Sequence, residues 1–190
     1  MFRVPVIVAL VLSLTAFASA QQQPPAVPTW IRPGLVVTYT GDSAFMQGGK
    51  VTQPISVTMT THVTSVSANQ VVGVTQVQNG NAPLTQTISW WCSSSGACRS
   101  NKAGSNGKFW VDPANPVASA LGPNGEQMTV IGSMTYALNK HVYNATTMGY
   151  QNKATGLRML LVFETSSGLM LEYAESAPTE QMHLFFQSMR

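Results

Sequence analysis

The sequence predicts an all-β fold: a single antiparallel, strongly curved sheet or half-barrel of about nine or ten strands, with at most one or two short helices. Three observations carry this. Segments with period-two alternation of apolar and polar residues recur along the chain. Turn residues (Gly, Asn, Pro and Ser) separate them at short intervals, which favours antiparallel neighbours. Charged residues make up only 9% of the 190 positions, against about a quarter in an average soluble protein, and Thr, Ser, Gln and Asn carry the polar surface instead. A β-sandwich or a closed barrel are the alternative architectures for such a pattern.

Residues 1–20, MFRVPVIVALVLSLTAFASA, have the layout of a secretory signal peptide: Arg3, an apolar run from Val4 to Phe17, then the small residues Ala18-Ser19-Ala20. The run is short of the roughly 20 residues that span a bilayer, and the polar QQQPPAVP follows it. The expectation is cleavage before Gln21, giving a secreted or periplasmic chain that does not span the membrane. Residues 21–33 read as an extended Pro-rich segment, and 34–190 as a single β domain. Without Arg3 the mature chain has nine Lys and Arg against seven Asp and Glu, or +2. The basic residues are scattered, so the interleaved basic and aromatic stripe of a nucleic-acid binder is missing.

The first strand is LVVTYTG (35–41), rich in β-branched and aromatic residues. GDSAFMQGGKVTQP (41–54) reads as a loop. In ISVTMTTHV (55–63), Ile55, Val57, Met59, Thr61 and Val63 alternate with Ser56, Thr58, Thr60 and His62, so one face is buried and one wet. NQVVGVTQVQ repeats the pattern, Asn79-Gly80 supplies a turn, and LTQTISWWC is the next strand. SSSGACRSNKAGSNG (93–107) reads as a loop and KFWVD (108–112) as a short strand. PANPVASALG can form one helical turn, with proline tolerated early in a helix. EQMTVIGSMTYAL, KHVYNATTMGYQ, TGLRMLLVFE, SGLMLEYAE and EQMHLFFQSM complete a meander. The last is ambiguous between helix and strand, and the alternation of Met182, Leu184 and Phe186 with His183, Phe185 and Gln187 favours strand.

With its early Trp30, its run of amphipathic strands and a closing Tyr150, Thr155-Gly156-Leu157 and Leu161 pattern, the chain resembles bacterial periplasmic lipoprotein-carrier and related half-barrel proteins. That resemblance implies a curved antiparallel sheet whose concave face holds an apolar ligand. The long helix that would cover such a face is not evident in the sequence.

Cys92 and Cys98 are the chain's two cysteines. Five intervening residues are too many for a C-x-x-C redox motif. No second cysteine or histidine pair lies nearby to complete a zinc site, so no metal is expected. In an exported chain they are expected to form a disulfide. Trp90 and Trp91 precede that loop, and adjacent strand residues point to opposite faces, so one enters the core and the other faces a surface or pocket rim. Nine mature methionines add flexible thioethers, suited to irregular cores and adaptable apolar surfaces.

Catalytic constellations are scarce. No G-x-S-x-G elbow is present, although Ser95, His141 and Asp112 could be assembled into a trio on paper. Glu164 and Glu172 could face each other across the terminal hairpin, where a solvated surface patch is the simpler account. The expectation is a non-catalytic binding protein, without cofactor, for an apolar or amphipathic ligand such as a lipid or lipidated partner. Met59, Trp91, Trp110, Met159, Leu161, Met170 and Leu171 are the expected ligand face. An envelope-assembly module that meets a protein partner through a sheet edge is the alternative, and a small hydrolase is third.

Overall fold

A computed structural model describes residues 26–47, 50–80, 86–94, 97–101, 109–120 and 127–190. The expected signal peptide lies outside the described residues. Eleven strands and one short helix follow in chain order: β1 (Val36–Gln47), β2 (Lys50–Val51), β3 (Ile55–Ser67), β4 (Gln70–Asn79), β5 (Gln86–Ser93), β6 (Cys98–Ser100), α1 (Pro116–Ser119), β7 (Thr129–Leu138), β8 (His141–Gln151), β9 (Arg158–Glu164), β10 (Met170–Ser176) and β11 (Glu180–Met189). Ten of the strands form one antiparallel sheet in the order β6-β5-β4-β3-β1-β11-β10-β9-β8-β7, and β2 pairs only with the end of β1. The sheet is not closed into a barrel; β6 and β7 are its two edges. The expected all-β, single-sheet class is therefore the observed one.

Two meanders, β3 to β6 and β7 to β11, make up the two wings, and β1 joins them. It pairs with β3 on one side and with β11 on the other. The registers place side chains in rows across the sheet on one face, called here the inner face. One row runs Ile88, Thr75, Thr61, Val37; the next runs Gln86, Val77, Met59, Tyr39, Phe186. A third runs Val57, Gly41, Leu184, Tyr173, Leu161, Met148, and a fourth Ile55, Ser43, Met182, Glu175, Met159, Tyr150. Most of the buried core belongs to these rows, as period-two alternation requires.

Three local readings are corrected. The segment 41–54 is not a single loop, because β1 continues through Gln47 and β2 folds back on it. The loop after β5 contains a strand, β6, which pairs Cys98 with Cys92 and Arg99 with Trp91. KFWVD is not a sheet strand: its described part, Phe109–Asp112, makes one isolated bridge, Trp110 with Leu169. Aromatic and β-branched residues give this segment strand propensity, but it is spent on packing across the sheet. The terminal EQMHLFFQSM is strand β11, as its alternation indicates.

Phe109, Trp110 and Val111 are almost fully buried and plug one end of the inner face. Their backbone is pinned beside the β9–β10 turn, where Val111 N–H donates to the Gly168 carbonyl and Met170 N–H to the Phe109 carbonyl. Gly168 sits at φ +74°, and a Cβ there would lie 2.0 Å from the Val111 carbonyl oxygen. Only glycine lets the plug approach this closely. Beyond the plug, Asp112 turns the chain into α1. Its carboxylate accepts hydrogen bonds from the Ala114 amide at 2.9 Å, the Asn115 side chain and the Ala26 amide of the N-terminal segment. Trp30 adds a second tie from that segment, with its indole N–H donating to the Ser167 carbonyl.

Candidate functional site

Trp90 and Trp91 do point opposite ways. Trp90 is buried on the inner face, where its indole ring lies over Gly73: a Cβ on Gly73 would meet the ring at 2.4 Å. Its Nε1–H donates to the Thr75 hydroxyl at 2.9 Å, and Thr75 and Thr61 share a second buried hydrogen bond. This network answers every polar group that Trp90 brings into the core. Phe109 meets both Trp30 and Trp90, and Trp110 meets Trp90 and Phe109, all with ring centroids within 6.5 Å and tilted or edge-to-face. Such rings interlock rather than leave a channel. Trp91, half-buried on the outer face, carries the Arg99 guanidinium 5.3 Å from its ring centroid, a cation–π contact between registered neighbours. Cys92 and Cys98 form the expected disulfide.

The aromatic plug divides the inner face in two. At the plugged end, side chains are buried almost completely. Towards the other end Met59, Val77, Tyr150, Tyr173 and Met182 are half-buried beside the buried Val57, Met148, Met159, Leu161 and Leu184, and Phe45 and Ile55 at the rim are exposed. Ser43 lies between Ile55 and Met182 in the last row, so the rim is continuous with the half-buried surface. The result is an apolar band that grades from core to solvent across several strands.

Of the residues expected to face a ligand, Met59 lies half-buried in this half of the inner face, and Met159 and Leu161 share its rows but are buried in the core. Trp110, Met170 and Leu171 are buried at the plugged end, and Trp91 lies on the outer face. Val77, Tyr173 and Met182 join the band without having been singled out. The alternation of Met182, Leu184 and Phe186 was the available signal for Met182. Val77 shares its parity with Val71, Gly73 and Thr75, and only the register with Met59 reveals that this parity is the inner one.

Polar residues share the rows at this end: Gln86, Ser43 and Glu175, with Glu180 opposite Phe45. The Tyr173 hydroxyl hydrogen-bonds Glu175. Burial raises the Tyr173 phenol pKa well above its usual value, and the Glu175 and Glu180 carboxylates push it further the same way. The Ser43 hydroxyl reaches Glu180 at 3.4 Å. On the opposite face Glu172 accepts from Tyr136 and pairs with His183 at 2.5 Å. Glu164 instead accepts from Ser167, its neighbour in the β9–β10 turn, so the two carboxylates serve separate contacts. Asp112 is committed to the turn beyond the plug, and His141 is exposed at the start of β8 with its ring 6.3 Å from that of Tyr143. Ser95 lies outside the described residues. Among the described residues no three His, Cys, Asp or Glu side chains gather as a metal centre requires, and no helix is long and apolar enough to cross a membrane.

No protein-family model matches the chain, and no curated protein does. Among solved structures the chain is similar to the crystal structure of a DUF1329 family protein from Desulfovibrio piger ATCC 29098, with 8% identity over 83% of this chain and 85% of that one and a TM-score of 0.30.

Proposed function

We propose that this is an exported, non-catalytic binding protein that takes an apolar or amphipathic ligand, such as the acyl chain of a lipid or of a lipidated partner, on the open half of its inner face. The observation that carries the reading is the apolar band from Met59 and Val77 through Met182 to the rim at Phe45 and Ile55. A sheet that served only to bury its own core would have its large apolar side chains covered there, as it does at the plugged end. Methionine fits this role, because an unbranched thioether conforms to chains of varied shape. The formed disulfide and the signal-peptide pattern of residues 1–20 agree with an oxidising compartment.

The test is extraction of the folded, purified protein followed by mass spectrometry of the extract, paired with fluorescence of an apolar dye. The expected result is co-purifying acyl lipid, or a dye response that added fatty acid displaces, with Met182→Glu abolishing both while the far-ultraviolet circular dichroism is unchanged. Absence of lipid together with absence of a dye response from the folded protein overturns the reading.

A further inference from the structure

The far end of the β7–β8 hairpin is an arm that runs past the sheet's own ladders. β8 pairs with β9 from Ala145 onward, so residues 141–144, and 135–138 opposite them on β7, extend beyond the last β9 partner. Asn139 and Lys140, both at positive φ, close the arm in a two-residue turn. Among the described residues two side-chain hydrogen bonds tie the arm to the outer face: Tyr136 to Glu172 on β10, and Asn139 to the Phe186 carbonyl on β11. Val162, registered beside Glu172 on that face, is buried, and Leu138 and Tyr143 of the arm pack on the core half-buried. Glu172 is the anchor that counts most. One of its oxygens accepts from Tyr136 and the other meets His183 Nε2, both at 2.5 Å, and its side chain is only 13% exposed.

We infer that Glu172 is an acid-sensitive clasp: its ionised carboxylate holds the arm on the outer face, and proton uptake there releases the arm while the sheet stays folded. An ionised carboxylate is acceptor-only, with one oxygen free for each donor. Proton uptake removes the charge and turns one oxygen into a donor. At best the Tyr136 contact then survives as a neutral hydrogen bond, about half as strong. What remains is the neutral Asn139 bond and a few half-buried side chains, the kind of segment that opens locally. The neighbouring titratable groups do not supply the switch. His183 can donate through Nε2 with or without a second ring proton, so its own titration leaves the contact in place. Asp42 on β1 is registered opposite His183, and Glu164 on β9 is bonded to Ser167. The arm itself carries Lys140, His141 and Tyr143, and among the described residues only Tyr136 and His183 bond to Glu172.

The test is the distance between spin labels at Lys140→Cys, in the exposed turn of the arm, and Thr60→Cys, half-buried on the outer face of β3, with Cys92–Cys98 left oxidised. The expected result is one short distance at pH 7 and a second, longer one at about pH 4, where carboxylates take up protons. The ratio of long to short should rise at least about fivefold, with the far-ultraviolet circular dichroism of the sheet unchanged. Glu172→Gln, which keeps the shape and loses the charge, should show the longer distance already at pH 7 and no further response to acid. Tyr136→Phe, which removes one contact alone, should also show it at pH 7. A distance that does not change on acidification overturns the inference. So does an acid response that persists in Glu172→Gln, a Tyr136→Phe arm that stays closed, or a longer distance that appears only as the sheet signal is lost.

Discussion

The Tyr136 hydroxyl donates a 2.5 Å hydrogen bond to Glu172 Oε2, joining β7 to β10 with β8 and β9 between them in the sheet. Three strand spacings amount to about 14 Å in a flat sheet, more than two such side chains can bridge, so the far end of the β7–β8 hairpin lies across the outer face. Asn139 confirms the crossing, with its amide donating to the Phe186 carbonyl on β11 at 2.7 Å. Burial raises the Tyr136 phenol pKa, and the hydrogen bond and charge of Glu172 raise it further. The folded protein therefore keeps a proton that the unfolded chain begins to lose near pH 10. Stability from this phenol is complete below pH 10 and declines as pH rises above it. Denaturant midpoints between pH 8 and 11 should fall above pH 10, and Tyr136→Phe should flatten that fall. At neutral pH the same variant should cost about 1 kcal/mol or less, since the bond is only part-buried.

Thr75 bears two buried hydrogen bonds at once, to Thr61 and to Trp90. Thr75→Val strips both, and should destabilise by about 1–3 kcal/mol for each polar group left without a partner. Thr61→Val leaves the Trp90 bond in place and should cost less. Urea unfolding of the two variants decides the order, and equal losses would mean that the indole finds another acceptor.

Replacing Gly168 with alanine forces a side chain into a positive-φ position against the Val111 carbonyl. The backbone conformation alone costs about 1–3 kcal/mol, and the plug must also shift. The expected readout is faster hydrogen exchange at the Val111 and Met170 amides, which bracket the plug, beyond what global stability predicts.

Reduction of Cys92–Cys98, six positions apart, should remove about 2 kcal/mol in the chain-entropy account. The loss should appear as exchange of the β6 amides while β3 and β1 remain protected. Equal exposure of all strands on reduction would show instead that the staple supports the whole sheet.

Much of this architecture was legible because alternation is a local signal. Residues 55–63 and 180–189 display it, and both are strands. The opposed tryptophans followed from the same rule, although which one enters the core depends on Gly73 leaving room for a ring, a relation between strands. Gly41-Asp42-Ser43 read as a loop because those residues are depleted in strands, yet they are paired on both sides. Two ladders outweigh weak propensity. The plug was misread for the converse reason: Phe109-Trp110-Val111 has strand composition, but the partner that determines its conformation is Gly168, more than fifty residues away. The expected ligand face mixed residues from both ends of the sheet, because sequence gives parity within a strand and not position along the face.

The pairing of β1 with β11 has a consequence in time. The chain is made from its N-terminus, and 133 positions separate Gln47 at the end of β1 from Glu180 at the start of β11. When β1 appears it finds β3 soon afterwards, but its other flank stays open until the final strand is available. Sheet assembly therefore closes late and through the most distant contact in the domain, which is the topology expected to fold slowly. A chain interrupted before Glu180 would lack the strand that pairs β1 with β10, leaving the two meanders linked through the plug, Trp30 and Tyr39 but not by a continuous sheet.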